Sequence, residues 1–279
     1  MKELSRLLTI FFILIMIINI NGTHSEEGLK REELPVKIRD EAWTVVENIQ
    51  KVIALELEID LSRRSGKVTK NVTAQFTLNN LIPKILIFSN DVTEQSLVHE
   101  ILHAKRVIDG HPVLYEINFP LMMVISNLQN AIEHIVIYRE LEKLGFDVRT
   151  HSITKWRKDF EILKSSLDKL KKQYPKNVFN LIGAATTFSG LVDGIELEEI
   201  EEKMDERVKD GIANGRLIYD ELLKYNLGDK DENLQALLKL SNILGITKSY
   251  AGIMRIDYKI NTWYDFNPEN GKQLSENTF

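Results

Sequence analysis

The sequence predicts an α+β protein in which a small antiparallel sheet packs on one helix and a mostly helical part follows. Residues 55–61 and 72–78 alternate apolar with polar side chains, which is typical of half-buried strands, and a third short apolar segment covers 84–89. Short loops between these segments favour an antiparallel meander. After residue 145 the apolar residues recur at helical spacing. We therefore expect the sheet first and the helices later.

The composition excludes several kinds of site. The chain has 279 residues and no cysteine, so disulfides, thiolate nucleophiles and cysteine-bound zinc are impossible. Its formal net charge of −5 provides no basic footprint for nucleic acid. A bound metal must therefore be held by histidine, carboxylate or backbone groups. No feature of the sequence sets the oligomeric state.

The first 25 residues resemble a secretory signal peptide. Lys2 and Arg6 precede an apolar run at 7–20, and the chain then turns polar. The run is shorter than the roughly 18 to 20 residues that a spanning helix needs. A cleaved signal predicts secretion, whereas an uncleaved segment predicts a membrane tether. Both outcomes predict an extracytoplasmic protein.

The segment SLVHEILHAK, at 96–105, contains the pattern His-Glu-x-x-His. A helix-start signal precedes it, and Gly110 should end the helix that carries it. On such a helix His99 and His103 lie one turn apart on the same face, so both can bind one metal ion. Glu100 is rotated by about 100° from His99, which places its carboxylate beside the metal. There it can act as a general base on water, so the pattern predicts a zinc hydrolase site.

A third ligand is expected from the next helix, residues 119–145, whose first two-thirds is almost wholly apolar. A buried carboxylate in such a helix needs a cation, which makes Glu133 the main candidate. His134 is an alternative ligand, a donor to the transition state, or a structural histidine. Asp109, six residues after the second motif histidine, is another alternative ligand. Tyr138, one turn after His134, is a second candidate donor.

The motif HEILH, at 99–103, resembles that of the zincin metallopeptidases, and the order of a sheet, a motif helix and a ligand-bearing helix is similar over residues 38–145. A glutamate ligand on a following helix resembles the gluzincins, and this resemblance implies Glu133 as the third zinc ligand. The ligand motifs of the thermolysin and aminopeptidase groups are not matched. The resemblance implies a zinc metallopeptidase that acts on peptide or protein substrates, with Glu100 as its general base. The strand at 84–89 is then the expected edge for an extended substrate.

A different kind of protein also fits these residues. It is a non-catalytic protein with the zincin fold, which uses zinc structurally or binds a partner. A fourth protein ligand on the metal would favour it, because catalytic zinc keeps one position open.

The expected organisation has three parts. A signal peptide or anchor covers 1–25, a sheet-and-helix subdomain covers 26–112, and a helical subdomain covers 113–279. The last of these includes a helix at 246–255, and the tail at 267–279 is expected to be loose.

Overall fold

The computed structural model describes residues 28–59, 74–79, 81–89, 91–117, 122–171 and 175–279. The expected signal peptide or anchor at 1–25 lies outside these residues. Helices and two small sheets follow one another along the chain, so the predicted α+β class is confirmed. The chain divides into two compact units, and the division falls after Ile108.

The described part of the first unit contains two α-helices and three strands. They are α1 (Asp40–Gln50), β1 (Glu56–Ile59), β2 (Ala74–Asn79), β3 (Ile82–Ile87) and α2 (Glu94–Ile108). The second unit contains β4 (Val113–Glu116), α3 (Met122–Lys143), α4 (Val148–Lys171), α5 (Lys176–Val192), α6 (Leu197–Lys203), α7 (Ile212–Leu222), α8 (Lys230–Leu244), β5 (Ala251–Asp257), β6 (Thr262–Phe266) and β7 (Gln273–Thr278).

The sheet of the first unit has the strand order β1-β3-β2 and is mixed. β2 pairs antiparallel with β3, with Phe76 opposite Ile85, as the sequence predicts. β1 instead runs parallel to β3, so the expected meander is wrong. Lys84 of β3 lies 3.1 Å from carboxylate oxygens of both Glu56 and Glu58, and these ion pairs favour the parallel register. β3 is therefore the central described strand, not the edge that was expected to receive a substrate.

α2 is the helix that carries the His-Glu-x-x-His motif, and it packs against α1 and β2. Its start is capped reciprocally: Thr93 Oγ1 accepts from the N–H of Ser96 at 3.2 Å, and Ser96 Oγ accepts from the N–H of Thr93 at 3.0 Å. Glu94 forms an ion pair with Arg39, which directly precedes α1, at 2.9 Å. Gly110 has a φ of +85° just past the end of α2, as expected for a residue that stops a helix.

α3 and α5 pack together in the core of the second unit. Ile125, Leu128 and Ile132 follow helical spacing on α3 and are buried. α5 carries small residues, and these permit close approach of the backbone. A Cβ atom built on Gly183 would lie only 1.9 Å from the carbonyl oxygen of Val208, in the segment that leads into α7. Glycine is therefore required at this contact.

The second unit also contains a four-stranded antiparallel sheet, in the order β4-β5-β6-β7. The helix expected at 246–255 is wrong, because the second half of that segment belongs to β5. The tail at 267–279 is not loose, since it contains β7. β5 is fixed by pairing with β4, where Leu114 lies opposite Ile253. This partner is distant in sequence, so local periodicity did not indicate the strand.

Within the described ranges, no helix is both long enough and apolar enough to cross a membrane. The apolar run at 7–20 lies outside those ranges, so the membrane tether stays a prediction.

Candidate metal site

The two motif histidines converge on one side of α2. His99 and His103 are one helical turn apart, and their Nε2 atoms are separated by 3.0 Å. Their rings meet edge to face, with centroids 4.8 Å apart. The side chain of His103 is buried, whereas His99 is partly exposed. The spacing predicted from the motif therefore brings both nitrogens to one point.

Glu100 is held between the histidine pair and the sheet of the first unit. Its Oε2 accepts a hydrogen bond from the backbone N–H of Phe76 at 2.6 Å. Its Oε1 lies 4.0 Å from Nε2 of His99. Phe76 belongs to β2, one of the two outer strands of the described sheet, and its amide is directed to Glu100 and away from β3. One carboxylate oxygen is thus anchored, and the other lies beside the histidine nitrogens.

Glu133 lies on the inner side of α3, and only 5% of its surface is exposed. Its Oε1 accepts from Nε2 of Gln129 at 2.7 Å. Gln129 Oε1 in turn accepts from the backbone N–H of Leu114 in β4 at 2.8 Å. The predicted burial of Glu133 is confirmed, whereas Asn127 and Asn130 of the same helix are exposed.

His134, the next residue on α3, belongs to a separate hydrogen-bonded set. Its Nδ1 lies 2.9 Å from the hydroxyl oxygen of Tyr138, and that hydroxyl donates to Oδ1 of Asp193 at 2.7 Å. Burial raises the pKa of Asp193 to about 6, whereas the bond from Tyr138 and the charge of Lys155 lower it. Burial also raises the pKa of the Tyr138 hydroxyl, which keeps it protonated. Tyr138 was expected as a candidate donor to the transition state, and its proton is engaged by Asp193.

Ring nitrogens of His99, His103 and His134 all lie within 4.8 Å of one another, so these three side chains could hold a metal ion. Among the described residues, these three histidines form a group of possible metal ligands that lie this close together. Neither Glu133 nor Asp109 belongs to the group. Asp109 lies exposed just after α2. His134 was one of the alternatives for the third ligand, and the identity of that ligand stays a prediction.

Fold and site together define an α+β protein with a candidate three-histidine metal site. Comparison with known protein families, with curated protein sequences and with solved structures gives no significant match.

Two residues of this region were not expected from the sequence. Phe76 takes part through its backbone amide, and a backbone contact leaves no signal in the identity of a residue. Asp193 is the first residue after α5, and Gly194, which has a positive φ, was the available signal that a helix ends there. Its partner Tyr138 lies far away in sequence, so only the folded chain connects them.

Proposed function

We propose that this protein is a zinc-dependent metallopeptidase in which His99, His103 and His134 bind the metal and Glu100 is the general base. The observation that carries the proposal is that ring nitrogens of these three histidines lie within 4.8 Å of one another, while Glu100 lies on the same helix as two of them. The peptide substrate class rests on the resemblance of the motif to that of the zincins. Export from the cytoplasm rests on residues 1–25.

The geometry of the histidines suits tetrahedral zinc. Two nitrogens bound at about 2.0–2.1 Å in tetrahedral geometry lie roughly 3.3 Å apart. The Nε2 atoms of His99 and His103 are already 3.0 Å apart. A ring nitrogen of His134 lies within 4.8 Å of both motif histidines.

Three histidines are a ligand set that occurs in catalytic zinc sites. Neutral imidazoles leave the full charge of the ion uncompensated, whereas a glutamate ligand would cancel part of it. A zinc ion bound by these histidines would act as a Lewis acid and would keep a fourth position open for water. The proposal therefore takes His134 as the third ligand and gives Glu133 a structural role in the bond to Gln129.

Glu100 has the arrangement that a general base requires. Its Oε2 is bonded to the amide of Phe76, and this fixes the plane of the carboxylate. Its Oε1 lies next to the histidine nitrogens and can accept a proton from water there. The same oxygen can then deliver the proton to the amine that leaves when a peptide bond breaks. Because one oxygen is anchored, the carboxylate needs little reorganisation during this transfer.

The hydrogen bond from Phe76 to Glu100 also favours a second function, that of a non-catalytic protein with structural zinc. A carboxylate that caps an amide of β2 stabilises the packing of α2 on the sheet, which is also what a non-catalytic protein with structural zinc would need. The two functions make different predictions. A peptidase should lose its activity when Glu100 is changed and keep the fourth metal position open, whereas a structural zinc site has a fourth protein ligand.

Metal content and cleavage together test the proposal. The full-length purified protein is expected to hold about one zinc ion per chain. His99→Ala and His103→Ala should each remove it and abolish cleavage, measured by plasma mass spectrometry and by mapping new termini in a mixture of unfolded proteins. His151→Ala is the matched control, because His151 is exposed on α4. Stoichiometric zinc that persists in both motif variants would rule out this site.

A further inference from the structure

His134, Tyr138 and Asp193 form a connected set within the second unit. The hydroxyl oxygen of Tyr138 lies 2.9 Å from Nδ1 of His134 and 2.7 Å from Oδ1 of Asp193. The rings of His134 and Tyr138 are also stacked, with centroids 4.6 Å apart and an angle of 24° between their planes. The imidazole is therefore oriented both through Nδ1 and through its ring face.

A proton count gives the direction of both hydrogen bonds. Tyrosine has one hydroxyl proton, and an ionised carboxylate only accepts. Since Tyr138 donates to Asp193, its oxygen accepts from Nδ1–H of His134. A neutral imidazole that has its hydrogen on Nδ1 carries the lone pair of its other ring nitrogen, Nε2, in the ring plane. The set therefore selects the tautomer whose Nε2 can bind a metal.

Asp193 is itself fixed by the packing of α4 and α5. It directly follows α5, and its backbone N–H donates to the carbonyl of Ser189 at 2.9 Å. Its own carbonyl accepts from the hydroxyl of Ser152 on α4 at 3.1 Å. Lys155 and Asp159, also on α4, are the charged groups that act on its carboxyl group. The acceptor for Tyr138 is thus held in place by two helices.

We propose that Tyr138 and Asp193 are positioning residues that hold His134 as the Nδ1–H tautomer and direct its Nε2 lone pair to the metal. This inference rests on the proposed metal site. It adds a relay, which is the hydrogen-bonded chain from His134 through Tyr138 to Asp193. Metal-binding histidines generally donate their second nitrogen to an oriented acceptor, and loss of that acceptor typically costs about 10- to 100-fold in metal affinity. Here the acceptor is a tyrosine oxygen, and the carboxylate behind it fixes the direction of the tyrosine proton.

The test uses the full chain and zinc alone as the probe. Tyr138→Phe removes the oxygen but keeps the ring that stacks on His134, so zinc affinity, measured by competition with a chelator, should fall about 10- to 100-fold. Asp193→Asn should also weaken binding, because an amide can donate to Tyr138 and reverse the relay. Tyr219→Phe, in α7, is the control and should bind zinc as the wild type does. Nitrogen-15 spectra of His134 should show the Nδ1–H tautomer in the wild type and lose it in Tyr138→Phe.

The possible outcomes distinguish a failure of the relay from a failure of the proposed metal site. A wild type that binds no zinc overturns both the metal site and the relay. A wild type that binds zinc, with unchanged affinity and an unchanged His134 tautomer in Tyr138→Phe, overturns the relay alone. Thermal melts show whether Tyr138→Phe folds, and if it does not, unchanged zinc affinity in a folded Asp193→Asn overturns the relay.

Discussion

The backbone N–H of Phe76 donates to Oε2 of Glu100 over 2.6 Å, so the glutamate of the motif is tied to β2, an outer strand of the described sheet. This bond fixes one carboxylate oxygen and leaves Oε1 at 4.0 Å from Nε2 of His99. The structural role of Glu100 can therefore be separated from its proposed catalytic role by a substitution that keeps the hydrogen-bond acceptor and removes the base.

Glu100→Gln is expected to retain zinc and fold while losing peptidase activity. The amide oxygen of glutamine can still accept from Phe76, but the side chain can no longer take a proton. General acid–base groups contribute about 10²- to 10⁴-fold, so cleavage should fall by at least that range. Zinc content and newly formed peptide termini are measured on the same samples. Equal cleavage by the wild type and the variant would place the activity elsewhere.

The third ligand is tested by comparing neighbouring residues of α3. His134→Ala should release zinc, because it removes one of the three grouped nitrogens. Glu133→Gln should keep it, because glutamine can preserve the bond to Gln129. Asp109→Asn should have no effect on zinc content. If Glu133→Gln releases zinc and His134→Ala does not, the ligand is the glutamate that the sequence predicted.

Gly183→Ala is expected to destabilise the second unit. The added Cβ atom would lie 1.9 Å from the carbonyl oxygen of Val208, and a backbone atom cannot move aside without shifting its neighbours. Overpacking of this kind costs about 1–3 kcal/mol, which exceeds what alanine gains as a better helix former. The free energy of unfolding is measured in urea. Gly228→Ala is the control, since its Cβ atom would face only the side chain of Asn226 at 3.2 Å.

The ion pair between Asp205 and Arg207 should make stability depend on pH in the acid range. Hydrogen bonds from Arg207, both at 2.6 Å, lower the pKa of Asp205 to about 2. The ordinary value is near 3.8, so its contribution is complete above that pH and is lost as the pH falls towards 2.

Asp205→Asn should accordingly lower the free energy of unfolding at pH 7 by about 1 kcal/mol or less, because the pair is partly exposed to solvent. The difference from the wild type should shrink between pH 4 and pH 2, as followed by urea titration at several pH values. Asp220→Asn is the control, since Asp220 lies 3.8 Å from Arg216 and both are more than half exposed. A difference that grows on acidification would contradict the assigned direction of the pKa shift.

Local geometry explains which parts of the site could be predicted. The relation of His99 to His103 depends only on the turn of one helix, and the sequence contains that information in its spacing. The choice between Glu133 and His134 depends on how α3 is rotated about its axis. Neighbouring positions on a helix differ by about 100°, and an α-helix that is apolar on most sides gives no signal for that rotation.

The sheets illustrate a similar limit. Alternation predicted the strands of the first unit, but it did not predict that β1 runs parallel to β3, nor that Ile59 is half exposed at the end of β1. In the second unit, β5 to β7 are stabilised by pairing that begins at β4, far away in the chain. A window of neighbouring residues contains none of these contacts. The only signal in the segment at 246–255 was the helical spacing of its apolar residues, and this predicted a helix.

The burial of α5 also determines how the second unit should open. Eleven of its 17 residues are buried, from Val178 to Gly190, and its backbone is in close contact with the segment before α7. Its amide protons should therefore exchange with solvent only through global unfolding, whereas those of the more exposed α4 should exchange through smaller, local openings. In hydrogen–deuterium exchange, α5 would then report the full stability of the unit and serve as its internal reference.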